Sequence, residues 1–282
     1  MKFSSKTLYI VSTPIGNLDD ITLRAINVLN KSDIILCEDT RHSLKLLNHL
    51  KIKKRLISYH KFNEKKQSPF IIEHIKQGKI LSLISDAGTP LLSDPGKFLI
   101  NECLKNKINI VPIPGASSII ASMSVTGFSD KFLFYGFLPK TVNELEKVLR
   151  SLSNINDAII FFSPSIKLNF YLKKFRKFFF DRKIMIAKEI SKIHEEFLRG
   201  EINNIKVPER FYKGELSIVI SEKPIKKTKN PSLNDKKIVN MIKKNLKIYS
   251  IRDTVELISK TEQANRKLIY NLCLKFKNEK NN

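Results

Sequence analysis

Over roughly the first 125 residues, short β-branched apolar runs alternate with segments whose apolar residues recur at helical spacing. Thr7 to Ser12 predicts a strand closed by Thr13-Pro14-Ile15-Gly16-Asn17, after which Asp20 can cap a helix carrying Leu23, Ile26, Val28 and Leu29. The same alternation predicts strands at 33–37, 56–59, 79–85 and 108–112. Helices are expected at about 43–50, 68–76 and 97–105, with another opening at Gly115. Strands interleaved with helices at this spacing predict a mainly parallel sheet covered on both faces.

The pattern changes after the turn-rich Gly127 to Lys131. Phe132 to Phe137 starts a new strand, followed by helix 142–152, strand 158–162 and helix 166–178. Strands 184–189 and 195–199 then follow too closely for a crossover helix between them. The second sheet is therefore expected to contain antiparallel pairs, with a last strand at 216–221. Lys223 to Asp235 has linker composition, with two prolines and four lysines. Beyond it, 238–246 and 254–277 read as small amphipathic helices. The expected fold class is α/β, with domains at 1–127 and 128–222, a linker at 223–236 and a helical basic module at 237–282.

Composition narrows the function. Of the 282 residues, 42% are hydrophobic and 28% charged, which supports globular cores and excludes a broadly disordered chain. No apolar run approaches a membrane span, and the N-terminal run is broken by Pro14 and Gly16, so a soluble cytoplasmic protein is expected. Cys37, Cys103 and Cys273 are too far apart for a CxxC site and read as core thiols. The five histidines show no ligand spacing, and no metal is expected. The formal charge is +24, and residues 223–282 alone hold 16 basic against 5 acidic residues. A field of that sign attracts nucleic acid most strongly. Lys and Asn enrichment of an AT-biased genome accounts for part of the excess.

Candidate chemistry sits in the loops that follow strands. Gly16, Gly88, Gly96 and Gly115 follow the first, fourth, fourth and fifth strands, the edge where parallel sheets bind ligands. Neither a G-x-G-x-x-G nor a P-loop motif is present. Ser85 to Gly96 (SDAGTPLLSDPG) sets two carboxylates, two glycines and two prolines after a buried strand. That suits a stiff ligand loop, or an ordinary loop with Asx turns. Ser117 and Ser118 fit a ligand contact or helix caps. Glu38-Asp39-Thr40-Arg41 fits a reactive cluster or a solvated helix start.

These motifs, TPIGN at 13–17, EDTR at 38–41, SDAGTPLLSDPG at 85–96, PIPGAS at 112–117, GFLP at 136–139 and HEEFLRG at 194–200, together resemble the bacterial ribosomal RNA small subunit methyltransferase I family. The likeness covers residues 6–222, with a looser match beyond. It implies two α/β domains of tetrapyrrole methylase type, S-adenosylmethionine in the cleft between them, and a homodimer. It also implies methylation of a cytidine 2′-hydroxyl in small-subunit (16S) ribosomal RNA, as naked RNA or in the assembled 30S subunit. By position, Ile15, Asp86, Ala87, Gly88, Thr89, Ser117 and Ser118 would hold the cofactor. One loop departs: where the family usually reads Glu-Ser-Pro-His-Arg, this chain has Phe162-Ser163-Pro164-Ser165-Ile166. Either those groups are dispensable or the activity is weakened.

A ribose hydroxyl needs a proton acceptor, and Asp39 and Glu38 are the first candidates, with Glu195 and Glu196 behind them. His194 reads as a packing residue. Arg41 could fork onto a phosphate, and Lys226, Lys227, Arg266 and Lys267 represent the basic tail as RNA contacts. Lys173 to Phe180 interleaves aromatics with cations, though Leu172, Phe175, Phe179 and Phe180 also follow core spacing. Two rival readings remain: a small-molecule methyltransferase, and a non-catalytic RNA-binding or assembly factor.

Overall fold

The computed structural model describes residues 6–212, 214–224, 236–262 and 264–278. The chain forms two compact units, one ending at Lys223 and one beginning at Pro224.

The first half of the larger unit holds strands β1 (Thr7–Val11), β2 (Ile34–Cys37), β3 (Arg55–Ser58), β4 (Leu81–Leu83) and β5 (Asn109–Ile113). They form a parallel sheet in the order β3-β2-β4-β1-β5. Helices α1 (Leu23–Lys31), α2 (Thr40–His49), α3 (Glu64–Lys76) and α4 (Lys97–Lys105) cover it on both faces. Side chains alternate along a strand, so Tyr9 and Val11 meet α1 and α2, while Leu8 and Ile10 meet α3 and α4. Adjacent β4 and β1 thus send their following helices to opposite faces, which opens a crevice at their carboxyl ends.

Helix α5 (Ser118–Ser124) leaves this sheet, and its Ile119 and Met123 pack on Ile160, Met185, Ala187 and Val219 of the second. That sheet orders β6 (Phe132–Phe137), β7 (Ala158–Pro164), β10 (Glu215–Ile220), β8 (Lys183–Lys188) and β9 (Glu196–Glu201). β6 and β7 are parallel and the other pairs antiparallel, the mixed sheet that the short link after 189 predicts. Helices α6 (Val142–Leu152) and α7 (Leu168–Phe178) cover its far face through Leu145, Leu149, Leu172 and Phe175. Arg182 is buried at its base, donating to the carbonyls of Ser153, Ile155, Asp157 and Ser221.

The smaller unit packs α8 (Lys236–Asn245), α9 (Ile251–Thr261) and α10 (Arg266–Asn278) around Ile242, Ile258 and Ile269. No helix among the described residues is long and apolar enough to cross a membrane. Cys37, Cys103 and Cys273 are buried free thiols.

Four expectations are corrected. The expected helix at 254–277 is two helices, because the chain turns between Thr261 and Arg266. Asp20 does not cap α1: Thr22 does, through its hydroxyl on the Ala25 amide, and Asp20 instead accepts from the Ser191 hydroxyl. α3 begins at Glu64 rather than Ser68 and carries Pro69 inside it, at the cost of one backbone donor. His194 is exposed in the turn between β8 and β9 rather than packed.

Candidate active site

Three loops at the carboxyl ends of β1, β4 and β5 are sewn into one wall. Thr13 and Gly88 exchange backbone hydrogen bonds of 2.9 and 3.1 Å. The Ser12 and Thr89 hydroxyls meet at 2.8 Å, and Thr89 donates to the Ala116 carbonyl at 3.2 Å. Gly88 sits at φ +78°, a left-handed conformation, and a Cβ there would lie 3.2 Å from Ile15 Cγ2. Ser117 occupies the N-cap position of α5 without making a side-chain cap bond, and both Ser117 and Ser118 line the cleft.

The opposing wall comes from the second sheet. The whole cleft is about 480 Å³, within the ordinary size for a small-molecule site. It is lined by Ile15, Asp86, Ala87, Gly88, Thr89, Ser117 and Ser118, all seven positions that the family pattern assigns to a cofactor. Phe137, Phe162, Ser163, Ala187, Glu189 and Lys192 face them. Phe162 packs edge-on against Phe134 with ring centres 5.0 Å apart, so the departing loop presents an apolar wall. The fold juxtaposes hydroxyls, backbone amides and an apolar surface, a donor set that fits an adenosine joined to a short charged chain.

The walls are joined at one end of the cleft. The Asn17 amide donates to the Ser191 hydroxyl at 3.0 Å, that hydroxyl donates to Asp20, and the Ser191 amide donates to Glu195 at 2.7 Å. Gly16 lies so close to this loop that a Cβ would be 2.5 Å from Lys192 Cγ and 2.9 Å from the Ile190 carbonyl. Leu91, Ser93, Glu189 and Ser191 all hold positive φ without being glycine, so non-glycine strain occurs on both walls. Sequence reading missed this 189–195 loop, because nothing in its composition marks left-handed backbone.

Glu38, Asp39 and Arg41 do not line the cleft. Asp39 is the N-cap of α2 and binds Arg41 twice, with Arg41 Nη2 at 2.8 Å and Nε at 3.2 Å. The side-chain and backbone hydrogen bonds from Arg41 hold its carboxyl far below the usual range, which makes it a weak base. The same pairing occupies much of Arg41's fork. Burial, and then the charge of Asp86, push Glu38 up.

The lining carboxyl with raised basicity is Asp94, pushed up to about 6 by burial first and by the negative charge of Glu38 second. The second aspartate of the SDPG turn was visible in sequence, but its exposure to the cleft was not. Glu196 is ion-paired with Arg210 and Glu195 is tied to Ser191.

Among the expected RNA contacts, Lys226 and Lys227 lie outside the described residues. Arg266 and Lys267 are exposed at the start of α10. Of the α7 segment, Leu172, Phe175 and Phe179 are core, Phe180 is exposed, and Lys174 and Lys177 share Glu146 at 2.6 and 3.1 Å. Among the described residues, no group of three or more His, Cys, Asp or Glu could hold a metal.

The chain itself is similar to proteins of known class. The family model described as Tetrapyrrole (Corrin/Porphyrin) Methylases matches residues 7–206. Solved relatives share the fold: the methyltransferase CobJ superposes with a TM-score of 0.59 at 15% identity, covering 76% of this chain and 93% of that one. A cobalt precorrin-4 methyltransferase gives 0.55, also at 15% identity, covering 77% and 95%. The ribosomal RNA small subunit methyltransferase I of Thermotoga maritima is 41% identical over 77% of this chain and 98% of its own. That of Mesomycoplasma conjunctivae is 43% identical over 80% and 96%, and that of Buchnera aphidicola subsp. Acyrthosiphon pisum is 37% identical over 95% and 96%. The chain belongs to the ribosomal RNA small subunit methyltransferase I family.

Proposed function

We propose that the protein transfers a methyl group from S-adenosylmethionine to the 2′-hydroxyl of a cytidine in small-subunit ribosomal RNA, in the cytoplasm and as a homodimer. The observation that carries this reading is the cleft itself, where seven family positions from three separate loops line one cavity. When bound, S-adenosylmethionine supplies an electrophilic methyl group on a sulfonium.

Gly88, Ala87 and Thr89 present backbone and hydroxyl groups to it, while Ser117, Ser118 and Asp86 offer polar partners from the neighbouring loops. The apolar wall of Phe137 and Phe162 excludes water from the opposite side. Asp94 accepts the hydroxyl proton as the oxygen attacks. With a pKa of about 6 it is ionised at neutral pH yet more basic than an exposed carboxylate. Glu38, behind it, keeps that basicity high through its charge. Asp39 holds the start of α2 and Arg41 in place. Because the base comes from the first sheet, the apolar Phe162 loop leaves the chemistry intact.

The test is transfer of a labelled methyl group to small ribosomal subunits lacking the modification, with the product nucleoside identified. Label on a cytidine 2′-oxygen supports the reading. No transfer despite cofactor and subunit binding would turn the assignment to a non-catalytic factor, and label on a small-molecule acceptor to the other members of the fold.

A further inference from the structure

The cleft must be reached by a polyanion, and one flank of the first sheet is built for that. From Thr40 to Asn63 the chain holds seven Lys and Arg and no Asp or Glu. This stretch comprises α2, the edge strand β3 and the turn that follows it. Lys53, Arg55 and Lys61 are exposed along it, and Lys65 and Lys66 continue the charge into α3. At its end stands Phe62, 88% exposed, with the Lys61 ammonium 5.5 Å from its ring centre and the His60 ring edge-on at 6.1 Å.

Phe62 is displayed by a rigid turn. The Asn63 side chain donates to the Ser58 carbonyl at 3.0 Å and accepts from the His60 amide at 2.9 Å, while the Phe62 amide donates to His60 Nδ1 at 3.3 Å. The turn is anchored to the cleft side of the sheet, since the Ser58 hydroxyl donates to the Glu38 carbonyl at 3.3 Å and the Tyr59 amide to the Cys37 carbonyl at 2.8 Å. Glu38 in turn lies within electrostatic reach of both His60 and Asp94. The sequence of neighbours therefore runs from the cleft through Glu38 and His60 to Phe62.

A large exposed ring held stiffly among cations, with no acid in the stretch that leads to it, matches what single-stranded nucleic acid requires: a π-face for a base and positive charge for the backbone. We infer that the α2–β3 flank is the RNA docking face of the enzyme and that Phe62 stacks on an unpaired base flanking the target nucleotide. This rests on the proposed rRNA methylation and names the surface that delivers its substrate. An unpaired base is the partner because a paired one has no free face to offer, and the cleft itself needs its target nucleotide out of a helix.

The experiment compares the full chain with Phe62→Ala, Phe62→Tyr and Lys61→Ala. It measures methyl transfer to small subunits lacking the modification, affinity for S-adenosylhomocysteine, and mass by sedimentation equilibrium. Phe62→Ala is expected to raise KM for subunits about tenfold, with kcat at saturation and cofactor affinity unchanged. Phe62→Tyr, which keeps a ring, should restore the wild-type KM. Lys61→Ala should raise KM less and flatten its dependence on salt. An unchanged KM for Phe62→Ala, while wild-type transfers normally, overturns the docking face alone. A change of mass on Phe62→Ala also overturns it, because the ring would then lie between copies of the chain. Absence of transfer by the wild-type protein overturns the proposed function and this inference with it.

Discussion

Asp94→Asn separates catalysis from stability in one variant. Burial and the charge of Glu38 move the Asp94 carboxyl from 3.8 to about 6, which corresponds to at most about 3 kcal/mol against the ionised form in the folded protein, less what solvent screens at a partly exposed carboxyl. The folded state holds that proton more tightly than the unfolded chain. The penalty is therefore absent below pH 4, grows between pH 4 and 6, and is complete above 6. The isosteric amide carries no charge to bury. Asp94→Asn should thus unfold at higher denaturant than wild-type at pH 7, by up to about 3 kcal/mol, and the gain should vanish at pH 4. Its turnover should fall by about a hundredfold or more while affinity for S-adenosylhomocysteine holds, because a general base contributes about 10²- to 10⁴-fold. Wild-type turnover should rise with pH through about 6, and the variant should lose that limb. Chemical denaturation at pH 4 and 7, with single-turnover methyl transfer from pH 5 to 8, measures both. A variant that is no more stable at pH 7, yet turns over normally, would refute both the burial argument and the proton-acceptor role.

Other expectations are simpler. Asp39→Asn should leave turnover within a few fold of wild-type, since asparagine caps α2 equally well; a loss matching that of Asp94→Asn would return Asp39 to the role of base. Gly88→Ala should weaken S-adenosylhomocysteine binding about tenfold by calorimetry, from left-handed strain of about 1–2 kcal/mol and crowding of Ile15. Arg182→Leu should cost on the order of 3 kcal/mol or more in urea unfolding, because it strips donors from the carbonyls of Ser153, Ile155, Asp157 and Ser221. Removing residues 224–282 should reduce the slope of log affinity for subunits against log salt; an unchanged slope would exclude the tail from RNA anchoring.

The parallel half was legible because its strands are buried on both faces and its helices on one, so period alone separates them, as Leu8 to Val11 and Leu23 to Leu29 show. The mixed half followed from the short link after Glu189. That these loops share one cleft wall was legible through glycine and proline placement together with the family pattern. The carboxyl proposed as proton acceptor was not. Glu38, Asp39 and Asp94 are alike in sequence, and what distinguishes them is whether an arginine is within reach and whether water is. Asp39 has Arg41 two residues on and at its side, whereas Asp94 has Glu38, distant in sequence and repulsive. Likewise Ser191 gave no sign of joining the two sheets, because its partners Asn17 and Asp20 lie at the other end of the chain.

Gly16 bears on how this fold can be recombined. Its backbone does not adopt the left-handed region, so its own loop would accept alanine; the 189–195 loop of the other sheet forbids it, through Lys192 and the Ile190 carbonyl. One half of the protein thus dictates a residue of the other. A chimera that joins the first sheet of this chain to the second sheet of a relative inherits the glycine but loses its reason unless the 189–195 loop travels with it. The two halves differ in topology yet are matched as a pair in detail.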